Sequence, residues 1–217
     1  MIIGICGLIG SGKDTIADYL QNIHQFRRES FAHTLKDAVA CVFGWDRELI
    51  EGRTRQSREW REQVDSWWAE RLNMPNLTPR YVLQHWGTEV ARKGFHDYIW
   101  IASLENKLRK ITDDVVISDC RFPNEIAAIK RAGGIVVRVH RGPEPEWYSI
   151  AQAANEHPQP NASSTILRDL GIHASETAWI GTQFDAVIDN NANGMDLLYQ
   201  QVKHLVQAHQ LAKENHS

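Results

Sequence analysis

Gly7-Leu8-Ile9-Gly10-Ser11-Gly12-Lys13-Asp14-Thr15 is the stretch that decides how the rest of this chain is read. From Gly7 through Gly12 and Lys13 it fits the opening of G-x-x-x-x-G-K-[ST]. Just upstream, Ile2, Ile3, Ile5 and Cys6 form a nearly all-apolar run, which predicts a strand buried on both faces. Downstream, Ile16, Ala17, Leu20 and Ile23 recur at helical spacing. Strand, glycine-rich turn and helix follow in the order that a phosphate-binding loop requires. Polyphosphate is held where successive backbone N–H groups converge at a helix N-terminus, and side chains at Gly10 and Gly12 would block that approach. Lys13 supplies a mobile cation for the β- and γ-phosphates. Asp14 stands where Ser or Thr normally meets Mg²⁺, so it is expected to hold the ion directly or through water, leaving the Thr15 hydroxyl for a phosphate oxygen. A glycine-rich turn that merely caps a helix is the competing reading, and the flanking strand and helix weigh against it. The stretch predicts a nucleoside-triphosphate site.

The rest of the composition narrows the setting. A chain of 217 residues holds one well-buried core, and its 42% hydrophobic and 24% charged residues are those of a water-soluble globular protein. Net charge is −3, so no global basic field favours duplex nucleic acid, and any anion site must be local. Cys6, Cys41 and Cys120 read as buried free thiols in a reducing compartment, and the ten histidines make no metal-binding spacing. No apolar run reaches membrane-spanning length, and the first strand leaves no room for a signal peptide. A cytoplasmic location is expected, in the host cytoplasm if a virus encodes the chain.

Working outward, Phe26 to Ala32 reads as a weaker second strand, and Leu35, Val39, Val42 and Phe43 mark a helix. Tryptophans 45, 60, 67 and 68 lie among Arg and Glu residues. A helix from Glu59 to Leu72 is expected to turn Trp60, Val64, Trp67 and Trp68 inward as packing. Thr78 and Pro79 open another helix as N-cap and first residue, carrying Val82, Leu83, Trp86 and Val90 inward. Val115–Ile117 reads as the third strand, ending in Ser118-Asp119-Cys120-Arg121. An aspartate there suits a water-mediated Mg²⁺ ligand, with Arg121 facing the phosphates, although an aspartate capping the next turn fits equally well. Ile135 to Val139 and Phe184 to Ile188 are the fourth and fifth strands, with an irregular excursion from 141 to 182 between them, where a closing lid would sit. A helix from about Met195 to His209 ends the pattern, with a frayed tail after Ala212. The sum is an α/β, three-layer P-loop NTPase fold, one domain with a five-stranded, mostly parallel sheet, a helical substrate lobe at about 34–112 and the lid-like excursion.

The chain resembles the bacteriophage-type deoxynucleoside monophosphate kinases, within the nucleoside monophosphate kinase-like group. The resemblance rests on Ser11 through Asp18, Leu35-Lys36-Asp37-Ala38, Arg80, and Gln84 through Gly87-Thr88-Glu89. It continues with Trp100, Asp119-Cys120-Arg121, Glu125, Gly133-Gly134, and His173 with Glu176. It implies the reaction ATP + dNMP to ADP + dNDP. It further implies that Gly10, Ser11, Gly12, Lys13, Asp14, Thr15 and Arg141 hold ATP, with Mg²⁺ beside Asp14 and Asp119. Lys13, Asp119 and Arg121 would carry the transfer. Lys36 and Arg80 would neutralise the monophosphate, and Gly87, Thr88, Trp100 and Glu125 would shape the nucleoside pocket. Taken alone, Lys36 and Arg80 also read as solvated helix-face charges, and His173 with Glu176 as a local hydrogen-bonded pair. Arg168 is a further lid residue without an assigned role. The expected partners are small-molecule substrates, with no duplex nucleic acid and no membrane, and a homodimer stays open. Another small-molecule kinase on the same scaffold, acting on dephospho-coenzyme A or a sugar acid, and a non-catalytic nucleotide switch are the rival readings.

Overall fold

The computed structural model describes residues 1–157, 161–191 and 194–214. Five strands form one sheet: β1 (Ile2–Cys6), β2 (Arg27–Glu29), β3 (Val115–Ile117), β4 (Ile135–His140) and β5 (Ala186–Asp189). Their order is β2-β3-β1-β4-β5 and every neighbouring pair is parallel. The helices of the first half are α1 (Lys13–His24), α2 (His33–Phe43), α3 (Arg47–Glu51), α4 (Arg55–Arg61), α5 (Ser66–Arg71), α6 (Pro79–His85) and α7 (Ile99–Leu108). Those of the second are α8 (Pro123–Arg131), α9 (Tyr148–Glu156), α10 (Ala162–Asp169), α11 (Ala174–Thr177) and α12 (Met195–Glu214). No helix among the described residues is long and apolar enough to cross a membrane.

The chain divides into two compact units. The first, Met1–Ser30 with Leu108–Ser217, contains the sheet and is a three-layer α/β structure. Ile3 and Ile5 turn to one face of β1, where they pack with Ile16, Ala17 and Leu20 of α1 and with Leu198, Val202 and Val206 of α12. Tyr19 and Tyr199 stack at 4.0 Å between those two helices. On the other face Gly4 makes room for α8, because a Cβ there would lie 2.5 Å from Ile129 Cδ1. Strands buried on both faces explain why β1 and β3 read as continuous apolar runs. The polar β2 sits at the sheet edge, where Arg27 Nε bonds the buried Glu29 carboxylate at 2.7 Å.

The second unit, Phe31–Lys107, is helical. Its core joins Leu35, Val39 and Phe43 of α2 to Trp45, Ile50, Ala69, Leu77 and Val82. Phe43 stacks on Trp45 at 4.5 Å and lies 4.9 Å from Trp68. Three indole N–H groups find acceptors: Trp45 donates to Asp65 at 2.7 Å, Trp68 to the Phe43 carbonyl at 3.0 Å, and Trp100 to the Gly87 carbonyl at 2.9 Å. Thr78 caps α6 as expected, its hydroxyl accepting from Tyr81 N at 3.1 Å.

Several elements depart from the sequence reading. The single helix expected from Glu59 to Leu72 is two, α4 and α5, because Asp65 caps α5 between them. Trp67 and Val64 are consequently exposed. Ile23, Val42 and Val90 also face outward, and Cys41 is exposed while Cys6 and Cys120 are buried. The helix opened by Pro79 continues past His85 as a π-helix, Trp86–Lys93. The excursion after β4 carries α9, which covers the Ala-rich stretch from Ile150 to Asn155 whose composition points to a short helix, and also α10 and α11, where the sequence reads as irregular. Ala151, Trp179 and Ile180 are buried there, and the Arg138 guanidinium lies 5.0 Å from the Tyr148 ring centre and 5.4 Å from that of Trp179. The final helix runs to Glu214, through the first three residues of the tail expected at 212–217; Pro158, Pro160 and residues 215–217 lie outside the described residues.

Candidate active site

β1 ends at the centre of the sheet, flanked by β3 and β4, which is the point where an open parallel sheet parts its connections and leaves a crevice. The loop that follows requires its glycines. Gly7, Gly10 and Gly12 have φ of 149°, 78° and 105°. A Cβ on Gly7 would stand 2.5 Å from the Val139 carbonyl oxygen, and one on Gly12 would stand 2.5 Å from Asn190 Nδ2. Gly12 is also the N-cap of α1 and offers no side-chain acceptor, so the first amides of that helix keep their capacity for an anion. Ser11 Oγ is buried without a hydrogen-bond partner among the described residues.

Lys13 curls back over the loop, its Nζ donating to the carbonyls of Gly7 and Leu8 at 2.8 Å each. Burial lowers its pKa below the ordinary lysine value, and the charge of Arg121 lowers it further, against smaller opposing effects of Asp14, Glu176 and Cys6. Lys13, Asp14, Arg121 and Glu176 therefore share one electrostatic neighbourhood. Arg121 Nη1 donates to Glu176 Oε1 at 2.8 Å and to Ser175 Oγ at 3.3 Å. The buried Glu125 accepts from the backbone N–H of Arg121 at 2.8 Å and of Phe122 at 3.2 Å, which fixes the turn into α8. His173 and Glu176 are joined locally through the backbone, the Glu176 N–H donating to the His173 carbonyl at 2.9 Å, while their side chains take other partners. His173 caps α11, with Nδ1 3.2 Å from Ser175 N, so Glu176 is directed to Arg121. Asp119 lies half-buried just beyond β3, Arg141 is exposed beyond β4, and Arg168 is exposed on α10 near Asp169.

Two contributors to this site escaped the sequence reading. Asn190, just after β5, donates from Nδ2 to the Ser11 carbonyl at 2.8 Å while its own N–H bonds the His140 carbonyl at 2.8 Å. Arg28, in β2, bonds the Asp14 carboxylate, Asp18 Oδ1 at 2.6 Å and Ser118 Oγ at 2.9 Å. Neither belongs to a local motif, and both meet the loop only through tertiary structure.

The second unit holds the remaining expected residues. Lys36 Nζ bonds Glu51 Oε1 at 2.7 Å, and Arg47 bonds Glu51 Oε2 at 2.6 Å and Asp37 Oδ1 at 2.6 Å. Burial alone would raise the Glu51 pKa, but these two cations hold it down at about 2. Arg80 is half-exposed and paired with Glu62. Gly87 is buried against Leu35, where a Cβ would lie 2.8 Å from Leu35 Cδ2, and Thr88 is exposed beside it on the π-helix.

No family model matches the chain. A mimivirus protein (Acanthamoeba polyphaga mimivirus) described as a deoxynucleotide monophosphate kinase is 35% identical over 155 residues, which span 65% of this chain and 74% of that protein. The deoxynucleoside-5'-monophosphate kinase of Escherichia phage T5 is 29% identical over 174 residues, covering 58% of this chain and 70% of that protein. Dephospho-CoA kinase from Campylobacter jejuni superposes with a TM-score of 0.46 at 16% identity, over 99% of this chain and 98% of that one. With a glycine-formed cradle at the head of α1, Lys13 folded onto it and Arg121 alongside, the sequence likeness to the viral enzymes has a physical counterpart, and the chain belongs to the deoxynucleoside monophosphate kinase family.

Proposed function

We propose that this protein transfers the γ-phosphoryl group of ATP to a deoxynucleoside monophosphate, releasing ADP and the diphosphate. The observation that carries the reading is the crowding of two cations, Lys13 and Arg121, beside an amide cradle whose side-chain oxygen, Ser11 Oγ, is buried without a partner among the described residues. A polyanion relieves that crowding and meets that oxygen. Phosphoryl transfer asks little more of a protein than positioning and charge neutralisation.

In this reading the amides at the head of α1, Ser11 and Thr15 grip the ATP phosphates. Lys13 leaves the carbonyls of Gly7 and Leu8 to reach the β- and γ-oxygens. Arg121, released from Glu176, neutralises the group in flight, where its charge is worth most. Among the described residues no cluster of three or more metal-ligating side chains exists. Mg²⁺ needs no such cluster, because it takes one or two carboxylates, water and phosphate oxygens. Asp14, and Asp119 through water, would hold the ion, and bound Mg²⁺ would offset charge on the β- and γ-oxygens. The second unit serves as the substrate lobe. Lys36 and Arg80 bind the monophosphate, which must compete with Glu51 for Lys36, while Gly87, Thr88 and Trp100 contact the nucleoside; Glu125, buried on the backbone N–H groups of Arg121 and Phe122, holds that turn instead. The excursion at 141–182 acts as the lid, with Arg141 on the ATP side, and its closure keeps water from the transferring group.

An acceptor panel with labelled ATP tests the proposal. All four deoxynucleoside monophosphates, their ribose counterparts, dephospho-coenzyme A and sugar acids are offered in turn. Turnover of at least one deoxynucleoside monophosphate is expected. Turnover confined to coenzyme or sugar acceptors, or ATP binding without any transfer, overturns it.

A further inference from the structure

Arg28 belongs to the short edge strand β2, yet its side chain is only 12% exposed. Its Nη2 bonds both the Asp14 carboxylate in the first turn of α1 and the hydroxyl of Ser118, the residue before Asp119 at the end of β3. Its Nη1 bonds Asp18 one turn further along α1. One planar guanidinium thus ties three elements together at the edge of the nucleotide cradle. Asp14 is 80% exposed, and a carboxylate so placed on a helix surface samples several rotamers unless something holds it. A lysine, with a compact ammonium, does not reproduce a fork that spans Asp14, Asp18 and Ser118.

We infer that Arg28 is a positioning residue that fixes the Asp14 carboxylate against the end of β3, setting its spacing from Asp119. The inference rests on the kinase reading for Asp14's contact with the nucleotide. Its competitors are an exposed ion pair of little consequence and a direct contact to the monophosphate.

A double-mutant cycle distinguishes them, in the full-length chain, with R28M, D14N and the double variant. Mg²⁺·ATP affinity is read by calorimetry and kcat and KM by turnover. If Arg28 acts through Asp14, R28M alters Mg²⁺·ATP affinity and kcat by about tenfold or more in the wild-type background, and by less than about twofold beside D14N. The monophosphate KM stays within about twofold, and R28K recovers only part of the loss. Equal effects of R28M in both backgrounds overturn the inference, as does wild-type behaviour, or a rise in monophosphate KM with kcat preserved. R28K and S118A supply the same comparison if R28M fails to fold by circular dichroism, and loss of folding in both Arg28 variants overturns it too. If wild type binds ATP but phosphorylates no deoxynucleoside monophosphate, the functional reading fails while the calorimetric cycle still decides Arg28.

Discussion

At the scale of single residues, Lys13 works against its surroundings. Burial and Arg121 favour its neutral form, so in the free protein it loses its proton at a lower pH than the ordinary lysine value of 10.5. Phosphate binding favours the charged form. ATP affinity should therefore decline as pH rises through that lowered value, a limb that K13M abolishes, and calorimetry across alkaline pH measures it. Lys13→Ala should cut turnover by about a hundredfold or more while leaving the far-UV circular dichroism unchanged. Gly7 is bound by sterics instead. Alanine there meets the Val139 carbonyl and Ser11 Oγ at a φ of 149°, so Gly7→Ala should lower stability by about 2 kcal/mol in urea titrations and weaken ATP binding. Lys13 and the glycines were legible because their chemistry lies within one contiguous stretch. Arg28 and Asn190 were not, because each is an unremarkable polar residue until the sheet places it.

Elements were legible where local signals govern them. Thr78-Pro79 announced a cap, and the structure supplies the hydroxyl-to-amide bond. Thr78→Ala should cost about 1 kcal/mol, seen as a lower urea midpoint with an unchanged slope. The π-helix left no such signal, since one inserted turn keeps the same residue types in sequence. Such segments recur at functional sites, and this one carries Gly87 and Thr88. Gly87 has a packing reason of its own in Leu35, beside any role toward a ligand. The break between α4 and α5 was hidden because apolar spacing runs on through Asp65, whose carboxylate serves both the α5 cap and the Trp45 indole. The later helices of the excursion, α10 and α11, were obscured by prolines and short length, while the Arg138 guanidinium over the rings of Tyr148 and Trp179 is a long-range contact that no periodicity reveals.

For the molecule as a whole, the strand content and the α/β class followed from alternating apolar runs, but the strand order did not, because parallel pairing joins residues far apart in sequence. Acid stability also belongs to this scale. Glu51 titrates at about 2 when folded and near its ordinary 4.5 when unfolded, so the unfolded chain takes up its proton first as pH falls. The stabilisation is full above pH 4.5 and is lost down to about pH 2. Urea midpoints of wild type should fall through that window, and the gap to E51Q should close within it. A gap constant with pH would show that the carboxylate's charge contributes nothing.

The bond from Asn190 to the Ser11 carbonyl has a consequence for how the protein is made. β1 leaves the ribosome well before its neighbours in the sheet, which begin only at Val115 and Ile135, and the amide that steadies the cradle comes later still. Nascent chains must wait with this apolar strand unpaired, a period of exposure to aggregation and chaperone capture. A chain halted by a stop codon before residue 190 would emerge with the whole nucleotide-gripping motif written in it but without the amide that ties Ser11 to the far side of the sheet.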